Sequence, residues 1–550
     1  MMRLQRKEEV VSSLPKVSNR IVIGHVYTGR KSVSTEELDA YIFGRGLVSR
    51  GELVGIVDKD MNRVYIARIT SMDKETPLSE IAEIIEKARE LNIDFYNLVK
   101  KLIKDPRSIM RYANLRLLFI VNLDKDGNFK RDEDGKLDTK SIDEPPEPGM
   151  PIVKFTVDDY KAILNLRDEK DGICVGELVE RPDVKVCIDK DFFRQHLIVL
   201  GQTGFGKSEA MARVIEEYMR HRDVLVVIMD PHGEYVDIDK SRLDGSKVFN
   251  VNVVRPGEGG FAIGYNRLSP EEVKLIAQLV DENNPPSEQG LEALADAHAE
   301  YLKSCVNTDK KSDVCTKDGK PDGKPKPYFD VLREIFNKVS GNPKYKLHEE
   351  TKKSIIRRVN LMEKLRIWSP DPDYDLDVRQ LVQGFDAVVV DYSGAEIGSL
   401  GARVLASVFL SRLIDRKKGD PSFRKTPLFL VADEATHFIP RDYDTVLSRK
   451  FRELIGEMRK FNLGVALVTQ VPHKIHPDVL DPINTKFLFR LQGSGLDTIE
   501  KFSNLSKEDL EHLKVLKRDA AFIISPYITE NIPIMVEFNK PNVKHYYLFQ

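Results

Sequence analysis

Residues 196–221 read HLIVLGQTGFGKSEAMARVIEEYMRH, a short apolar run, a glycine-rich loop and then a helical run. The loop, GQTGFGKS at 201–208, has the spacing G-x-x-x-x-G-K-S, and its position between a predicted strand and a predicted helix makes the match specific. Gly201, Gly204 and Gly206 let the backbone fold around phosphates with its amides inward, while the following helix presents its positive end. Lys207 is placed to reach the β- and γ-phosphates and Ser208 to hold Mg²⁺. Gln202, Thr203, Phe205 and Glu209 complete the expected nucleotide-binding loop, with ATP as the ligand.

Outward from this loop, HLIVL, VLVVIM, FDAVVV, LFLVA, GVALVT and KFLFRL are short apolar runs of the kind buried on both faces of a parallel sheet. They alternate with helical stretches, so the class is α/β. Between about 268 and 370 the pattern is helical (SPEEVKLIAQLVD, GLEALADAHAEYLKSC, TKKSIIRRVNLMEKLRIW), which predicts a helical lobe inserted into the core. Its stretch 306–327, rich in Lys, Asp, Gly and Pro, is expected to be mobile.

Hydrolysis needs acids beside the phosphates. PLFLVADEATHF ends an apolar strand in Asp433 and Glu434, where Asp433 can support Mg²⁺ through water and Glu434 can polarise the attacking water. DPHGEY at 230–235 ends another strand. Asp230 and Glu234 are candidates for metal, water or subunit contacts there if that strand neighbours the loop strand, and a capped turn is the competing reading. GVALVT ends at Thr469 and Gln470, whose amide is placed either to sense the γ-phosphate or to serve as a buried structural group. Arg449, Arg452 and Arg459 lie just upstream. Arg459 is the first choice for an arginine supplied in trans to the γ-phosphoryl group, against a solvated helix face patterned by Glu453 and Glu457.

Residues 21–70 alternate apolar and polar, as in ELVGIVDKDMNRVYIARI, and predict a small β-barrel or sandwich. A helical interlude over 77–102 carries Ile81, Ile84, Ile85 and Ala88 behind Ser79 as cap. DKDGNFKRDEDGKLD at 124–138 has alternating carboxylates but Phe129 where a calcium loop needs glycine, so a charged hairpin or loop is expected.

The formal net charge of −2 excludes a global basic field, so a nucleic-acid partner would need a local basic lining. No apolar run approaches the length of a membrane span, and the N-terminal residues lack an apolar secretory core, so a cytoplasmic protein is expected. Cys174, Cys187, Cys305 and Cys315 form no CxxC pair, which argues against zinc. Free thiols are the favoured state, with a Cys305–Cys315 bridge as the alternative.

VGELVERPDVKVCIDKDFFRQHLIVLGQTGFGKS, DPHGEY, VADEATHF and EMRKFNLGVALVTQVPHKI, in that order, resemble the HerA family of the FtsK-HerA ATPases over about residues 175–540. The resemblance implies a RecA-like P-loop ATPase core with an N-terminal β-barrel domain and an inserted helical lobe. It implies 1–20 as a tail, 21–180 as the barrel with a helical insertion, 181–267 and 371–540 as the two parts of the core around 268–370, and 541–550 as a second tail. The implied activity is that of an ATP- and Mg²⁺-dependent translocase or helicase on double-stranded DNA. Its implied assembly is a homo-oligomer, a hexamer, acting in DNA-end processing with a NurA-type nuclease. Lys207, Ser208, Asp433 and Glu434 inherit the phosphate, magnesium and water roles, Gln470 the sensor role and Arg459 the trans-finger role. Val471 stands where the family often has arginine after that glutamine, and the polar insert and DEATHF point to a divergent member. Competing readings are a DNA-pumping ATPase of a mobile element, conjugation, packaging or antiviral system, a protein-remodelling P-loop ATPase, and a scaffold with a vestigial site.

Overall fold

The computed structural model describes residues 16–17, 19–27, 34–43, 48–74, 110–133, 135–255, 262–282, 284–307, 313–317, 324–345, 347–369, 377–394, 398–439, 446–503 and 505–545. The helix expected over 77–102 lies outside them, as do 1–15, 308–312, 318–323 and 546–550. The chain divides into two compact units, residues 1–189 with 527–537, and residues 190–526 with 538–550.

In the first unit, β1 (Arg20–Tyr27), β2 (Glu37–Phe43), β3 (Leu53–Asp58), β4 (Arg63–Lys74), β5 (Met110–Asn122) and β6 (Pro151–Lys154) pair antiparallel in the order β1-β2-β5-β4-β3-β6. Pairing of β6 with β1 closes the circle, so the alternating pattern makes a barrel and not a sandwich. Every second side chain points inward, and Ile23, Ala40, Val54, Tyr65, Leu115 and Ile152 fill the interior. The charged stretch 124–138 forms two tight turns, bridged at Leu123–Phe129 and Arg131–Leu137, with Asp124 Oδ1 accepting from the amides of Asp126 and Asn128. A hairpin of β7 (Gly172–Leu178) and β8 (Lys185–Asp189) follows. The late segment 527–537 returns to this unit, where Met535 O accepts from the Val179 amide at 3.0 Å and Tyr527 O from Asn165 at 3.0 Å.

The β7/β8 register sets Cys174 opposite Cys187, and the two are joined as a disulfide, as are Cys305 and Cys315. This corrects the expectation of free thiols. Linear spacing carries no trace of strand register, which is what brings Cys174 to Cys187.

The second unit is built on β9 (Leu197–Leu200), α1 (Lys207–His221), β10 (Leu225–Asp230), β11 (Val251–Val254), β12 (Ala387–Asp391), β13 (Leu428–Ala432), β14 (Leu463–Thr469), β15 (Thr485–Leu488) and β16 (Ala520–Ile524). Their spatial order is β16-β15-β9-β14-β13-β10-β12-β11, parallel from β15 to β11, with β16 antiparallel. All six predicted apolar runs are strands of this sheet, and those of β9, β12, β13 and β14 are buried throughout. Between β11 and β12, helices α2 (Pro270–Leu279), α3 (Glu288–Tyr301), α4 (Tyr328–Ser340) and α5 (Glu349–Glu363) form the helical lobe. Ser269 opens α2 with a capping box to Glu272. In α3, buried His298 lies between Leu268 O and the Tyr328 hydroxyl, each at 3.0 Å. Among the described residues no helix is long and apolar enough to cross a membrane.

Candidate nucleotide and metal site

Parallel strands direct their carboxyl ends to one edge of the sheet, and β9, β10, β13 and β14 all deliver candidate residues there. β14 and β13 separate β10 from β9, so DPHGEY is not on a strand adjoining the loop strand. It reaches the same edge through its turn.

At the exit of β9, Gly201 passes so close to Phe489 that a Cβ would sit 2.4 Å from the Phe489 Cβ. Gly206, at φ +98°, is the N-cap of α1 and offers no side-chain cap, so the first amides of α1 remain available to an anion. Lys207 is buried and its ammonium donates to Gln202 O of its own loop at 2.9 Å. Burial pushes its pKa down to about 8, although Glu434, Asp433 and Glu234 pull it the other way.

A cavity of about 400 Å³ at this edge is lined by Thr203, Gly204, Lys207, Ser208, Glu234, Asp433, Glu434 and Gln470, together with His232, His437 and Val468. Asp433 is buried, and that burial, then the Glu234, Asp230 and Glu434 carboxylates, hold its pKa well above the usual range. Burial likewise raises Glu234 to about 7. Glu434 sits in the left-handed region at φ 43°. Gln470 Nε2 donates to Glu434 Oε2 at 3.3 Å, and the Thr203 hydroxyl donates to Gln470 Oε1, so the loop, the sensor strand and the acid strand form one hydrogen-bonded chain.

Three carboxylates thus face one ammonium in a partly enclosed space, a charge deficit that a divalent cation would relieve. Among the described residues no three His, Cys, Asp or Glu side chains converge to hold a metal by themselves. The donor set therefore fits a cation bound through the Ser208 hydroxyl, phosphate oxygens and water.

A family model described as the central domain of the helicase HerA matches residues 173–413. The probable DNA double-strand break repair helicase HerA of Methanocaldococcus jannaschii is 25% identical over 448 residues, covering 74% of this chain and 84% of that protein. The DNA double-strand break repair helicase HerA of Pyrococcus furiosus is 24% identical over 424 residues, covering 68% and 72%. Over this central region the chain is similar to the HerA family. Among solved structures, VirB4 of Thermoanaerobacter pseudethanolicus is similar over 68% of this chain and 98% of that one, at 19% identity and a TM-score of 0.49. The chain is an ATP-hydrolysing enzyme.

Several expected site residues do not line the cavity and make other contacts. The Gln202 backbone N–H donates to Arg490 O at 2.9 Å, the Phe205 ring lies 5.0 Å from the Arg490 guanidinium, and Glu209 pairs with Arg518 at 3.1 Å. Arg459 is exposed in the turn Met458–Phe461 before β14, whereas Gln470 follows its other end. Seven residues of strand put the two edges about 20 Å apart, so Arg459 does not line its own chain's cavity. His232 and His437, with rings 5.3 Å apart, are cavity residues that sequence reasoning missed. The available signal was their position inside DPHGEY and DEATHF, each beside an acid already singled out.

Proposed function

We propose that this chain hydrolyses ATP with Mg²⁺ as a ring of like subunits and uses the energy to move along double-stranded DNA. One observation carries the ring: among the described residues no arginine lines the nucleotide cavity, while Arg459 stands exposed at the opposite edge of the same sheet. A neighbouring copy that presented that edge would complete the site. Arg459 would then meet charge developing on the γ-phosphoryl oxygens.

Within one chain, Lys207 leaves Gln202 O to meet the β- and γ-phosphates, and the α1 amides cradle them. Ser208 directly and Asp433 through water would hold Mg²⁺, which neutralises phosphate charge. Glu434 accepts the proton of the attacking water as its oxygen bonds to the γ-phosphorus and the bond to ADP breaks. Loss of the γ-phosphate frees Gln470 to return to Glu434. DNA is held by backbone phosphates without sequence reading. The names of the relatives refer to double-strand break repair, and DNA-end processing with a NurA-type nuclease, in the cytoplasm, is the setting we propose.

The test is the mass of the purified chain by light scattering, with its ATPase rate measured with and without blunt duplex DNA over a salt series. Multimeric mass and duplex-stimulated turnover that weakens as salt rises are expected. A strict monomer indifferent to duplex DNA would overturn the proposal.

A further inference from the structure

The two acids of DPHGEY have different surroundings. Asp230 is fully buried, and its Oδ1 accepts from the amides of His232 at 3.1 Å, Gly233 at 2.8 Å and Glu234 at 3.1 Å, while Oδ2 accepts from the Tyr235 amide at 2.8 Å. Four backbone donors occupy both oxygens, so this carboxylate shapes its own turn. Gly233, at φ +74°, closes that turn and Glu234 enters the cavity. There the Glu234 carboxylate accepts from the Ser208 hydroxyl, and its Oε2 is buried without a hydrogen-bond partner. Lys207, which could have served it, is turned toward Gln202 O.

We propose that Glu234 is the positioning residue of the divalent-cation site, itself aimed by Asp230. Taking the Ser208 proton in a hydrogen bond turns the hydroxyl lone pairs toward the cation, and Oε2 offers an acceptor to a cation-bound water. The inference rests on the nucleotide-site reading given under Proposed function.

Binding of Mn²⁺ in the presence of a non-hydrolysable ATP analogue, followed by the paramagnetic resonance of free Mn²⁺, tests it. So does metal-free affinity for a fluorescent ADP analogue in chelator. Glu234→Gln should weaken Mn²⁺ binding by about 10-fold to 100-fold without weakening metal-free nucleotide binding or lowering the melting temperature. Asp230→Asn should weaken Mn²⁺ in the same direction, because the turn loses an anionic acceptor. Wild-type Mn²⁺ affinity in Glu234→Gln overturns the inference. So does equal loss of Mn²⁺ and metal-free nucleotide, or lost turnover at unchanged Mn²⁺ affinity. A wild-type chain that binds neither nucleotide nor Mn²⁺ sinks the nucleotide-site reading instead.

Discussion

Nucleotide affinity should fall about tenfold between pH 7 and pH 9, because only the charged form of Lys207 attracts phosphate. Burial brings its pKa to about 8. The charged fraction then drops from about nine-tenths to about one-tenth over that range, worth about 1.4 kcal/mol of binding. With an ordinary lysine pKa the same interval would change affinity by a few per cent at most. The assay is titration of a fluorescent ADP analogue in chelator. Glu234 gains its charge near pH 7 and would add repulsion, so the Glu234→Gln background isolates the lysine. Lys207→Arg, whose guanidinium stays charged, should show no fall above pH 8. The empty pocket responds in the opposite sense. Between about pH 8 and 10.5 the folded chain binds fewer protons at Lys207 than the unfolded chain, so nucleotide-free stability rises with pH, recovering about 3 kcal/mol. Affinity that varies less than about twofold from pH 7 to pH 9 in the Glu234→Gln background would refute the reasoning.

Arg459→Ala should retain nucleotide binding but lose turnover, and mixed with Glu434→Gln subunits it should restore activity at boundaries that pair an intact Arg459 with an intact Glu434. Normal hydrolysis by Arg459→Ala alone would remove the trans assignment. Gly206→Ala places a Cβ 2.5 Å from Asp519 Oδ1 and 3.1 Å from the Asp519 Cα at φ +98°. A non-glycine residue there costs about 1–3 kcal/mol, which should weaken the fluorescent nucleotide about tenfold or more and lower the melting temperature, whereas wild-type values would show that the loop yields.

Much of the catalytic half was legible because each element rests on a local pattern. A fully apolar run of four to seven residues has no solvent face, so it reads as a strand covered on both sides, and β9, β12, β13 and β14 are such strands. Polar residues that end those runs fall at one edge of a parallel sheet. Thr203, Lys207, Ser208, Asp433, Glu434 and Gln470 therefore meet in one cavity from three strands. Gln202, Phe205 and Glu209 do not line that cavity; the Gln202 backbone amide and the Phe205 ring meet Arg490 and Glu209 pairs with Arg518, contacts with distant segments that position within a motif does not carry.

By itself, the sequence determined the α/β class, the phosphate loop with its lysine and serine, the acid pair and the helical lobe, because spacing along a chain controls periodicity and local backbone conformation. Tertiary structure alone decided the strand order, the closure of the barrel, the pairing of Cys174 with Cys187, and the placement of Arg459 away from the cavity that Gln470 lines. It also gave Asp230 to its own turn and Glu234 to Ser208. Register, closure and burial are relations between segments far apart in the chain, and the hydrogen bonds and desolvation that set a carboxylate's role exist only once those segments have packed.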